Sequence, residues 1–114
     1  MYEYKVTEVH SVYDGDTCTV SIDLGLNTVR HREKIRLYKI DTPELRGVSA
    51  EEKLKGLEAR DWLRDSLEKA TEIIIKTHKD KTGKYGRLLG ELVADGVNLN
   101  NTMLELGLAK PYGE

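Results

Sequence analysis

The chain has 114 residues, 39% hydrophobic and 33% charged, with 18 Lys and Arg against 20 Asp and Glu and a net charge of −2. No run of about 18 apolar residues exists to span a membrane, and 15 Leu, 6 Ile and 8 Val are too many for a disordered chain. The sum also disfavours a uniformly basic nucleic-acid binder, and the lack of Phe makes the expected core aliphatic.

Residues 1–114 read as a single domain, without repeats or linkers. Tyr2–Tyr13, rich in Val and Tyr, predicts a strand that ends at the turn dipeptide Asp14-Gly15. Cys18, Val20, Ile22 and Leu24 alternate with Thr17, Thr19, Ser21 and Asp23, which predicts a half-buried second strand with Cys18 as a core residue. Thr28–Ile40 predicts a third strand whose parity slips between Leu37 and Ile40, as a β-bulge near Tyr38-Lys39 would cause. Ser49-Ala50-Glu51-Glu52 has the form of a capping box. The helix it opens buries Ala59, Trp62, Leu63, Leu67 and Ala70, with Gly56 loosening its first turns. Ile73–Ile75 and Arg87–Ala94 are the fourth and fifth strands. Leu99, Met103 and Leu106 mark a short helix capped by Asn98 and stopped by Gly107. His10, His31 and His78 show no ligand spacing and read as surface residues. Three strands, a helix, two strands and a short helix suit a β-rich α+β fold, a five-stranded OB-type Greek-key barrel. An SH3-like barrel or an unrelated α+β sheet fits the same order. The first residues contain no apolar leader, and the one cysteine forms no internal disulfide. The expectation is therefore a cytoplasmic protein.

Two acidic motifs fall at strand ends, Asp14-Gly15-Asp16-Thr17 and Asp41-Thr42-Pro43-Glu44. Asp16 shares the parity of Cys18 and points inward, where a carboxylate needs a cation or hydrogen-bond donors. The ligand atoms on offer are hard oxygens, which favour Ca²⁺ or Mg²⁺ over zinc. Either motif alone is also an ordinary turn. Residues 30–39 and 76–87 together hold ten of the 18 bases and only two of the 20 acids, a cationic surface suited to phosphates, with Tyr85 placed to stack on a base. A hard-cation site, phosphate-binding arginines and a spare carboxylate are the parts for hydrolysing a phosphodiester. The cation neutralises the phosphate, arginines stabilise the transition state, and a carboxylate accepts a proton from water. Spacing does not say which acid does which job.

Val12-Tyr13-Asp14-Gly15-Asp16-Thr17, Ile35-Arg36-Leu37 with Ile40-Asp41-Thr42-Pro43-Glu44, and Lys84-Tyr85-Gly86-Arg87 resemble, in order, the signature segments of the staphylococcal nuclease family. Asp95–Asn100 through Gly107–Lys110 is similar to its next stretch. The resemblance implies an OB-type barrel and a Ca²⁺-dependent nuclease of DNA and RNA that cuts the bond to the 5′ oxygen and leaves 3′-phosphates. By position it assigns Asp16, Asp41 and the carbonyl of Thr42 to the metal and Glu44 to the general base. Arg36 and Arg87 fall to the scissile phosphate, and Lys84, Tyr85 and Tyr112 to the nucleotide. Typical relatives continue into a further helix after the point where this chain ends, so a homo-oligomer partner covering that face is one expectation. The alternative is a non-catalytic module of the same family that binds nucleic acid or protein.

Overall fold

Alternation of buried and exposed side chains produces the predicted strands in the computed structural model, which describes residues 2–78 and 88–113. The strands are β1 (Tyr2–Asp14), β2 (Thr17–Gly25), β3 (Thr28–Leu37), β4 (Ile40–Asp41), β5 (Ile73–His78), β6 (Leu88–Ala94), β7 (Val97–Asn98) and β8 (Lys110–Pro111). The helices are α1 (Ala50–Lys69) and α2 (Leu99–Glu105). Among the described residues five strands form a closed barrel, in the order β3-β2-β1-β5-β6. Its seam is a parallel pairing of β3 with β6, Ile35 to Leu37 against Leu88 to Gly90. The fold is the OB-type barrel the sequence predicts. The core is aliphatic, with Val20, Ile22, Ile35, Leu37, Ile75 and Leu92 almost wholly buried, and α1 adds Ala59, Leu63 and Leu67. No helix among the described residues is long and apolar enough to cross a membrane.

Several details differ from the expectation. Simple alternation in β2 breaks at a register shift between Val20 and Ile22. Ser21 therefore turns inward, and its Oγ lies 2.7 Å from His10 Nε2, while Leu24 at the strand end is exposed. His10 is thus largely buried, not a surface residue. His78 is half-buried too, stacked on Tyr38 at 3.7 Å between centroids, with Nε2 2.6 Å from Glu91 Oε2. The parity slip at Tyr38-Lys39 is not a bulge within one long strand. β3 ends at Leu37, Lys39 adopts φ +62°, and β4 leaves the barrel to pair with β8. The start of the fifth strand at Arg87 lies outside the described residues, where β6 runs from Leu88.

α1 begins as its capping box dictates, with Ser49 Oγ accepting from the Glu52 amide at 3.2 Å. Gly56 does not loosen it: the helix is continuous and Gly56 is buried. Asn98 caps α2 by accepting from the Asn101 amide, but Leu106 at the helix end is exposed. Asn100, 2% exposed, ties three elements together. Its Oδ1 accepts from the Leu92 amide, and its Nδ2 donates to the carbonyls of Tyr38 and Gly90, all at 3.1 Å. Leaving one such buried group unpaired costs about 1–3 kcal/mol, so this asparagine holds the turn after β3 against β6. That turn delivers β4 and its acidic residues to the barrel mouth.

Candidate functional site

The β1–β2 turn sets the first acids. Asp14 Oδ1 accepts from the Asp16 amide at 3.1 Å, which closes the turn over Gly15. A Cβ on Gly15 would lie 2.7 Å from Thr42 Cγ2 and 2.8 Å from Ala59 Cβ, so only glycine lets this turn sit against both the segment after β4 and α1. Asp16, 6% exposed, points inward as its parity predicts. Its Oδ2 accepts from the Thr42 amide at 3.0 Å, its Oδ1 accepts from Thr17 Oγ1 at 3.2 Å, and its carbonyl accepts from the Leu37 amide at 2.8 Å. One aspartate thus joins β2, the end of β3 and the segment after β4.

Arg36, near the end of β3, reaches across the same opening. Its Nη1 donates to the carbonyls of Ile40 at 2.8 Å and Leu37 at 3.1 Å and stands 3.4 Å from Asp16 Oδ2. Its Nη2 stands 3.6 Å from Asp41 Oδ1. The guanidinium therefore lies between Asp16 and Asp41, and two backbone carbonyls fix its plane. Tyr112 packs on it, 5.1 Å from the guanidinium carbon to the ring centroid, and the Tyr112 amide donates to the Lys39 carbonyl. Lys110 on β8 places its Nζ 4.0 Å from Asp41 Oδ2. The pairing of β4 with β8 brings this lysine and tyrosine to the site.

Thr42 is buried and its Oγ1 has no hydrogen-bond partner among the described residues. Glu44 is exposed and, with Asp41, Thr42 and Pro43, lines a cleft of about 500 Å³ bounded on the far side by Lys55 and by Gly107 to Lys110. Asp14 and Asp16 lie close enough at this mouth to repel each other. The Asp14 carboxyl is pushed up to about 7, first by burial and then by the Asp16 carboxylate. A cation bound at the mouth would relieve that repulsion. Among the described residues no three Asp, Glu, His or Cys side chains converge as a ready ligand set. The site instead offers Asp16 and Asp41 either side of Arg36, with Asp14 behind and Thr42 between. These are oxygen donors of the kind a hard divalent ion takes.

Of the residues singled out from sequence, the structure brings together Asp16, Arg36, Asp41, Thr42 and Tyr112, with Glu44 on the adjoining cleft. Lys84, Tyr85 and Arg87 lie outside the described residues. Sequence reasoning counted Asp14 in the first acidic motif but gave it no role, whereas the structure sets it behind Asp16 with its carboxyl closing the turn. Sequence reasoning missed Lys110, whose place depends on a two-residue pairing with no sequence signature.

Comparison with known proteins gives the family of the chain. The family described as staphylococcal nuclease homologue matches residues 34–113, a span that takes in Arg36, Asp41, Thr42, Glu44 and Tyr112. Endonuclease YhcR of Bacillus subtilis (strain 168) is 31% identical over 110 residues, covering 91% of this chain and 9% of that protein. The SPbeta prophage-derived endonuclease YokF of the same strain is 30% identical over 97 residues, 85% of this chain and 31% of that protein. An uncharacterized protein of Bacillus anthracis is 28% identical over 100 residues, 88% of this chain and 44% of that one. The chain spans less than half the length of each of these relatives. With the family matching residues 34–113, more than half of the chain, the chain belongs to the staphylococcal nuclease homologues.

Proposed function

We propose that this domain is a calcium-dependent endonuclease that hydrolyses DNA and RNA at the bond to the 5′ oxygen and leaves 3′-phosphates. The observation that carries the reading is the Arg36 guanidinium held between Asp16 and Asp41, beside a cleft that contains Glu44. The endonuclease names of two relatives support it.

Asp16, Asp41 and the Thr42 carbonyl would hold Ca²⁺, and the bound ion supplies neutralisation of the phosphate and an oriented water. Arg36 is preorganised: its backbone carbonyl contacts fix the guanidinium before substrate arrives, so its N–H groups meet the developing charge without reorganisation. Arg87 is assigned the other side of the phosphate. Glu44, exposed in the cleft, accepts the proton of the attacking water. Lys84 and Tyr85 contact the nucleotide. Tyr112 does so from a ring that already supports Arg36.

The test is cleavage of single-stranded DNA and of RNA in millimolar Ca²⁺, with a chelator control and analysis of the product ends. Glu44→Gln is expected to slow cleavage by about 10²–10⁴-fold, the usual contribution of a general base, with oligonucleotide affinity retained. A folded wild-type chain that cuts neither substrate in Ca²⁺ would overturn the reading and leave a binding module. Full activity in Glu44→Gln would remove Glu44 from its role.

A further inference from the structure

Charge on the solvent side of α1 is sorted by sign. Glu58, Asp61, Asp65 and Glu68 follow one helical stripe, and Lys53, Leu57, Arg60 and Arg64 follow another, at spacings of four, three and four. The basic stripe is one wall of a groove of about 460 Å³ against the barrel, whose opposite walls are Ser11 to Tyr13 and Leu45-Arg46. The described residues lining it include four cations, Arg46, Lys53, Arg60 and Arg64, and no carboxylate. Asp61 at its edge engages Arg60, at 2.9 Å from Nη2, and lies 3.9 Å from Arg64 Nη1. The Arg64 Nη2 also donates to the Val12 carbonyl at 3.1 Å, which pins that guanidinium at the groove wall. Tyr13 is 54% exposed.

The groove and the acidic mouth are lined by consecutive residues at two points of the chain. Tyr13 precedes Asp14, and Leu45-Arg46 follows Glu44. From Lys53 to Arg64 the helix advances by roughly 16 Å at 1.5 Å per residue, enough to meet more than one phosphate of an extended strand. A basic groove with an aromatic ring at its edge is the arrangement that takes single strands without regard to sequence: cations track the backbone and the ring stacks on a base.

We propose that this groove is a second subsite, which holds the phosphodiester backbone of the single strand flanking the bond that is cut, with Tyr13 stacking on one of its bases. The inference rests on the nuclease reading, since its ligand is the strand which that reading cleaves. It adds a function for the α1 face that is separate from the phosphate contacts of Arg36 and Arg87. The subsite makes the enzyme's grip depend on strand length: a short oligonucleotide reaches only the mouth, and a longer one fills both.

The experiment measures binding of fluorescein-labelled dT4 and dT16 by anisotropy in chelator, so that nothing is cut, across a series of salt concentrations. Lys53→Gln/Arg60→Gln is compared with wild type and with Lys5→Gln, an exposed charge on β1 outside the groove. The double variant is expected to weaken dT16 binding at least tenfold at low salt and dT4 binding much less. It should also lower the salt slope for dT16 by about 0.7 for each phosphate that is no longer neutralised. Arg46→Gln, a change outside α1, should lower the slope in the same sense and guards against misfolding of the double variant. Slopes equal to that of Lys5→Gln in both variants would overturn the subsite. Competition by poly-glutamate as strong as by dT16 would also overturn it, and assign the groove to acidic protein. The two readings fail separately. Cleavage with unchanged slopes rejects the groove and keeps the nuclease, whereas altered slopes in a chain that never cuts reject the nuclease and keep the groove.

Discussion

A glycine inside an α-helix ordinarily costs up to about 1 kcal/mol relative to alanine, yet Gly56 stands in the second turn of α1. The packing explains it. A Cβ there would lie 2.7 Å from the Pro43 carbonyl oxygen and 3.0 Å from that of Glu44, so the backbone carrying Glu44 rests on the helix where a side chain would be. Gly15 does the same for Thr42 from the other side. The acid segment is thus clamped between two surfaces without side chains. Gly56→Ala is expected to leave helix content by circular dichroism intact while lowering cleavage by up to about 100-fold, the effect of an ångström-scale displacement of a reacting group. Wild-type activity in that variant would show that the Glu44 segment is placed by something else. Arg36 carries a comparable double duty. It bonds to the carbonyls of Leu37 and Ile40, so removing it loosens the β3–β4 corner as well as the phosphate grip.

Among the elements, the junction between α1 and the sheet is tied by one carboxylate beside a backbone bond from the Asp95 amide to the Glu72 carbonyl at 2.9 Å. Asp95, in the β6–β7 turn with φ +48°, accepts from the Glu72 amide at 2.8 Å and the Thr71 amide at 3.0 Å, just past the end of α1. Those backbone donors hold its carboxyl below the ordinary value of 3.8. A carboxylate held down in the folded state stabilises above its unfolded pKa and loses that contribution as pH falls through its folded one. Asp95→Asn is therefore expected to lower the thermal midpoint at pH 7, followed through the fluorescence of Trp62, the single tryptophan. The gap should narrow as pH drops below about 3.8; a gap of constant size would mean that shape, not charge, matters at this turn. The elements themselves are largely legible in the sequence. The Ser49 cap, the inward parity of Asp16 and the strand alternation are local signals, and each appears where local physics puts it. Ser21 and Leu24 are not legible, because the register shift that turns one in and the other out is set by the partner strand. Gly56 misleads for the same reason: its cause is a segment that the fold brings back against the helix.

At the scale of the whole molecule, the net charge of −2 conceals an ordered distribution. Acids gather at the barrel mouth and along one helical stripe, and bases line the groove beside it. Composition cannot reveal this, since the acidic and basic stripes of α1 interleave in sequence and separate only when the chain is wound at 3.6 residues per turn. The site's dependence on closure is hidden as well. Arg36 pairs with Leu89 at the parallel seam, so the barrel must be shut before the mouth has its shape. Cys18 belongs to the same closed interior. It is fully buried, and burial pushes its thiol up to about 12. A native sample is expected to leave this thiol unlabelled by a thiol-reactive dye until denaturant is added, and rapid labelling of the native chain would contradict the packing of β2. With its thiol buried and no second cysteine in this sequence to pair with, Cys18 offers no internal disulfide for a reductant to open. The lone cysteine therefore says nothing about which side of a membrane the domain works on.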